Sequence, residues 1–117
     1  MRACHDWSLS SYPISLTNSR IELLQQILVQ DPNSVLARYG LAMEYVNQGE
    51  WARAMPEFEA VLKTDASYGA AYYHGGQTLE KLDRIDDARD YYRRGLAASR
   101  DAHTRGELEA ALAILGE

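Results

Sequence analysis

From Thr17 onward the apolar residues recur at helical spacing. Ile21, Leu24, Ile27 and Leu28 mark one face of a first predicted helix, with Thr17 or Ser19 as its N-cap and Asp31-Pro32 as its stop. A second helix, from about Val35 to Gln48, sets Leu41, Ala42, Tyr45 and Val46 on one side and halts at Gly49. A third runs from Trp51 to about Lys63 and turns Ala54, Phe58, Val61 and Leu62 toward a core. Pro56 lies inside it and cannot donate the backbone bond expected beyond the first turn, so a tightened or kinked entry is predicted there. Gly69 to Lys81 makes a fourth helix, and Asp83 occupies the following turn. Ile85 to about Ser99 makes a fifth, packing through Ala88, Tyr91, Tyr92 and Leu96, with Asp86 and Asp87 at its positive N-terminal end. Thr104 to Leu115 forms the last, with a stripe of Leu108, Ala111, Leu112 and Leu115. Residues 1–16 lack this period and read as a tail, whose Trp7, Leu9, Tyr12 and Ile14 could pack over the first helix.

The pattern repeats. Aligning the turn Gln48-Gly49-Glu50-Trp51 with Leu82-Asp83-Arg84-Ile85 fixes the repeat as the step from Gln48 to Leu82. That step pairs Leu41 with Gly75, Ala42 with Gly76, Tyr45 with Leu79, Ala54 with Ala88, Phe58 with Tyr92, Val61 with Gly95 and Leu62 with Leu96. The same step backward pairs Leu24 with Phe58, Ile27 with Val61, Leu28 with Leu62 and Asp31-Pro32 with Asp65-Ala66. Small Ala42, Gly76, Ala54 and Ala88 let backbones approach, and Tyr45, Phe58 and Tyr92 fill the space between them.

A helix-turn-helix unit of this length, about 34 residues, with these small–large pairs resembles the tetratricopeptide repeat family. The resemblance covers about residues 17 to 116. It implies an all-α fold in which antiparallel helix pairs stack as a short right-handed solenoid. Residues 17–34 then match the second helix of a preceding repeat, 35–68 and 69–102 are full repeats, and 103–116 is a capping helix. The chain departs from the family pattern at Arg38, where a large apolar residue is usual, and at Arg20, Pro56 and Gly95. Tyr72 supplies the large residue in the second repeat.

Stacked repeats of this kind curve and line a concave surface with their first helices. The register places Leu36, Tyr39, Gly40, Met43, Val46 and Asn47 near that surface, followed by Ala70, Tyr73, His74, Gln77, Glu80 and Lys81. The resemblance therefore implies a scaffold that binds a protein, as a short peptide or a partner helix, through Tyr39, Met43, Tyr73, His74 and Gln77, with Arg38 and Lys81 as charged rim residues. Tyr39 and Tyr73, one repeat apart, are expected side by side as rigid contacts with a hydroxyl donor. Met43 offers an adaptable apolar contact and Gln77 a bond to a peptide backbone. The Lys, Arg and Asn clamp with which some family members grip a terminal carboxylate has no counterpart at these positions. Two other readings stand beside this one: a structural module that forms homo-oligomers through the uncovered first helix, and an enzyme of unidentified type using the concave surface.

Composition narrows these choices. The chain has 117 residues, enough for one domain with a core, and 46% of them are hydrophobic. A formal charge of −5 argues against nucleic acid as a partner. The most basic stretch, Arg89, Arg93, Arg94 and Arg100, is interleaved with Asp86, Asp87, Asp90 and Asp101 and reads as a solvated face. Cys4 is alone, which excludes an internal disulfide and an all-Cys metal site. His5, His74 and His103 form no zinc motif, and no phosphate- or dinucleotide-binding loop occurs, so no enzyme activity, metal or cofactor is expected. Without 18 consecutive apolar residues or a leader-like segment, direct membrane insertion is not expected and a cytoplasmic location is.

Overall fold

The computed structural model describes residues 19–116. The tail, its aromatic residues, Thr17 and the Cys4-His5 pair lie outside the described residues. Ser19 is already helical, so it is not an N-cap. Helix α1 covers 19–30 within that span, and α2 (Val35–Asn47), α3 (Trp51–Thr64), α4 (Gly69–Lys81), α5 (Ile85–Ala98) and α6 (Ala102–Ile114) follow, with no strand among the described residues. Short turns make consecutive helices antiparallel. The pair α2–α3 packs on the pair α4–α5 through α3 and α4, and α6 lies against both α4 and α5.

The turns are built from local chemistry. After α2, the Gly49 and Glu50 N–H groups donate to Val46 O and Tyr45 O, each at 2.9 Å, with Gly49 at φ 74°. After α4, Asp83 and Arg84 donate to Glu80 O at 2.9 Å and Leu79 O at 2.8 Å, with Asp83 at φ 60°. Both are Schellman closures, which satisfy carbonyls at the helix end and require one left-handed residue. At the other turns, Asp31 Oδ1 accepts from Asn33 N and Asp65 Oδ1 from Ser67 N, again one repeat apart. Helix α2 is capped by Ser34, whose Oγ accepts from Ala37 N. Helix α6 is capped by Asp101, whose carboxylate accepts from Thr104 N at 2.8 Å, so this helix starts two residues before the position its apolar stripe suggests. Pro56 stays within α3. It and Ala52, whose carbonyl loses a donor, are both exposed, so water can take the missing bond.

The core joins Leu41, Ala42 and Tyr45 of α2 to Ala54, Phe58, Val61 and Leu62 of α3, then to Tyr72 and Leu79 of α4, Ala88, Tyr91 and Tyr92 of α5, and Leu108, Ala111 and Leu112 of α6. Val46, Leu96 and Leu115 are only partly buried at its margin. In α1 the expected face divides. Leu28 is buried and Ile21 and Leu24 pack partly, whereas Ile27 remains 46% exposed, because α1 ends the described stack and has helices on one side only.

Arg38 and Tyr72, so different in chemistry, prove to be equivalent in place. Tyr72 Oη donates to Ala66 O at 2.7 Å, and Arg38 Nη2, one repeat earlier, donates to Pro32 O at 3.2 Å. Tyr72 meets Tyr91 edge to face at 6.0 Å, while Arg38 meets Glu57 in an ion pair at 3.1 Å. An aromatic pair in one repeat thus holds the same place as an ion pair in the other, and each ties its first helix to the preceding turn.

Candidate functional site

Helices α2, α4 and α6 share one face of the molecule, and two adjoining hollows open on it. The first, about 440 Å³, lies between the C-terminal turns of α2 and α4 and is lined by Val46, Trp51, His74, Gln77, Thr78, Glu80 and Lys81. The second, about 250 Å³, lies between α4 and α6 and includes Tyr73, Gln77, Glu80, Glu107, Ala111 and Ile114. Gln77 and Glu80 border both, so the hollows form one groove across the face.

His74 lines the first hollow. Its imidazole is 6.2 Å from the Tyr39 ring and 5.1 Å from the Tyr73 ring, so the two tyrosines meet across the histidine. Burial pushes the His74 pKa below its ordinary value, against a smaller opposing effect of Glu107. Tyr39 is half-buried and also packs on Tyr68 at 5.1 Å and Phe58 at 6.2 Å. Burial, with Tyr68 and Glu107 adding to it, pushes its phenol up to about 12. Gln77 Nε2 donates to Tyr73 Oη at 3.0 Å, which orients the exposed amide along the groove. Thr78 Oγ1 donates to His74 O at 2.7 Å and so contributes a methyl group without an unpaired hydroxyl.

Tyr73, His74, Gln77 and Lys81 therefore line the groove together, and Tyr39 supports it from behind His74. Lys81 Nζ stands 5.7 Å over the Trp51 ring. Met43 packs half-buried against the core. Arg38 lies elsewhere: its bonds to Glu57 and Pro32 O hold it beside the turn before α2, away from the groove lining. Its guanidinium is committed to the fold because the turn carbonyl needs the donor that Tyr72 supplies in the other repeat.

Sequence reasoning missed the contribution of α6, which it treated only as a cap. One more step of the repeat carries Tyr39 and Tyr73 on to Glu107, and Gln77 and Glu80 to Ala111 and Ile114. The signal was present in the period. Glu107 lines the α4–α6 hollow with Tyr73, Gln77 and Glu80, on the same face. Trp51 was also missed, because it opens a second helix of a pair and only the turn geometry brings it to the groove end. Among the described residues no group of three or more His, Cys, Asp or Glu could hold a metal, and no helix is long and apolar enough to cross a membrane.

No protein-family model matches the chain. A TPR repeat-containing protein of Pseudomonas aeruginosa is 28% identical over 90 residues, which cover 77% of this chain and 83% of that protein. The crystal structure of a tetratricopeptide repeat domain protein from Salinibacter ruber is 36% identical with a TM-score of 0.62, covering 67% of this chain and 91% of that one. MamA superposes with a TM-score of 0.67 at 25% identity over 75% of this chain, which spans only 52% of MamA. The type III secretion chaperone SycD of Yersinia enterocolitica, solved in complex with a peptide of the translocator YopD, has a TM-score of 0.73 at 13% identity, covering 89% of this chain and 86% of SycD. With the repeat period, the paired Schellman turns and these likenesses, the chain belongs to the tetratricopeptide repeat family.

Proposed function

We propose that the protein is an interaction scaffold that holds a peptide or a partner helix on the concave face of α2, α4 and α6. The observation that carries this reading is the continuity of the groove: two hollows share Gln77 and Glu80, and each combines apolar and polar side chains. SycD supports it by example, since a chain of the same fold was solved in complex with a peptide. In this reading 35–68 and 69–102 are the full repeats, 17–34 is half of a preceding one, and 103–116 both caps the stack and completes the groove. The reading assigns the chain no chemical step and places it in the cytoplasm.

Capture from native cell extract tests the proposal. The intact protein is compared with a Tyr73→Ala/Gln77→Ala variant shown by circular dichroism to be folded. Proteins retained by the intact form and lost by the variant support the groove; identical retention by both overturns it. Tyr39→Ala is the poorer probe, because that ring also packs on Phe58 and Tyr68.

The exposed apolar residues of α1, Leu23 at 59% and Ile27 at 46%, favour a second reading, self-association through that helix. They lie one helical turn apart on one face. Sedimentation over a hundredfold concentration range separates the readings: a mass that stays monomeric throughout removes self-association.

A further inference from the structure

We infer that the groove takes a segment carrying a lysine or arginine next to an apolar side chain, with the cation at the α4–α6 end. This rests on the groove's being the binding face and goes on to name the chemistry of its occupant.

The charges are unevenly placed. Glu80 borders both hollows and Glu107 only the α4–α6 hollow, whereas Lys81 borders only the first, where it sits beside Glu80 and lies over Trp51, so the α4–α6 end carries acids and no cation among its described lining residues. Glu80 is held by the Tyr92 hydroxyl, which donates to Oε2 at 2.5 Å. That partner is neutral, so it fixes the carboxylate without cancelling its charge. Glu107 has a 3.7 Å contact to His103 Nε2, an imidazole that is 83% exposed and charged only when protonated. His74, half-buried and with burial favouring its neutral form, does not offset the acids either.

The backbone adds to the same field. Val46 and Lys81, in the last turns of α2 and α4, border the first hollow, and Ile114, in the last turn of α6, borders the α4–α6 hollow, so the negative ends of helix dipoles flank the groove along its length, at its α4–α6 end through α6. A cation is favoured there and an acidic segment is repelled. The apolar requirement comes from Tyr73, Ala111 and Ile114 around the acids, with Ile114 82% exposed. A lysine or arginine suits this surface because its methylene stem covers apolar wall while its head reaches a carboxylate. Trp51 and Val46 at the other end then receive a neighbouring apolar side chain.

Selection from a displayed library of random decapeptides tests this. The baits are the intact protein, a Glu107→Gln variant, a Glu80→Gln/Glu107→Gln variant and the Tyr73→Ala/Gln77→Ala variant. The expected result is enrichment of peptides with Lys or Arg beside an apolar residue. Synthetic copies of those peptides should weaken by about five-fold on Glu107→Gln, as for a partly exposed ion pair, and further on the double substitution. Their binding should also weaken with added salt. Glu107→Gln alone leaves the Tyr92–Glu80 bond untouched, so the result does not depend on the second variant's fold. Peptides that depend on Tyr73 and Gln77 but show no basic preference, or an acidic one, overturn this inference and leave the groove reading standing. Enrichment that is equal on the Tyr73→Ala/Gln77→Ala variant, or no enrichment at all, overturns both.

Discussion

At Gly76 the α4 backbone lies against the Tyr92 ring so closely that a Cβ would overlap Cε1, and at Gly75 a Cβ would come 2.6 Å from Tyr91 Cε2. The corresponding residues of the first repeat are Leu41 and Ala42, whose partners in register are Glu57 and Phe58. The volume missing from α4 is thus supplied by α5, as close packing demands. Gly76→Ala is expected to destabilise the protein by about 2 kcal/mol, the scale of overpacking in a filled core. Gly106, also helical, has nothing within 4 Å of its virtual Cβ, so Gly106→Ala should stabilise by about 0.5–1 kcal/mol through helix propensity alone. Urea denaturation of both variants measures this; shifts of the same sign would refute the packing assignment. The sequence disclosed the small–large pairing, since Ala42 aligns with Gly76 and Phe58 with Tyr92. It did not disclose which glycine is indispensable, because that depends on the ring across the helix pair. Arg38 teaches the same lesson: by register a rim residue, it is occupied by Glu57 and a turn carbonyl that only the folded chain brings near.

The helices themselves were legible almost to the residue where a chemical stop exists. Gly49 and the Asp31-Pro32 step ended helices as expected, because left-handed backbone and a missing N–H are local properties. The start of α6 was less legible: capped by Asp101, the helix begins at Ala102, two residues before the expected Thr104, and a cap is recognised by its bond to Thr104 N. Asp83 carries the strain of the turn pattern. Its φ of 60° is close to the conformation Gly49 adopts in the equivalent turn, and a residue with a Cβ holds it at a cost. Asp83→Gly should therefore raise stability by about 1 kcal/mol while Gly49→Ala lowers it by about as much. Thermal unfolding of the two variants checks this, and a lower melting temperature for Asp83→Gly would show that the aspartate side chain contributes more than its backbone costs.

Across the whole molecule, α6 serves stability and the groove at once. Leu108 is fully buried in a notch left by Gly95, where a Cβ would lie 2.9 Å from Leu108 Cδ1 and 2.7 Å from Tyr72 Cβ. Arg105 donates to Leu96 O and Ser99 O, and Arg89 Nη2 donates to Leu115 O at 2.9 Å, which fastens both ends of α6 to α5. Leu108→Ala should cost about 3 kcal/mol, read by urea denaturation. A loss below about 1 kcal/mol would mean that α6 is not part of the cooperative core. The order of the helices, their paired turns and the period of the repeat were determined by the sequence alone, because each follows from local backbone chemistry and from which face of a helix is apolar. Tertiary structure decided the rest: that the exposed α1 residues remain uncovered by described neighbours, that Arg38 is tied into the fold, and that Glu107 of the last helix joins Tyr73 and Glu80 of the fourth. A groove is a relation among helices far apart in the chain, and its charge and shape exist only once their faces are curved toward one another.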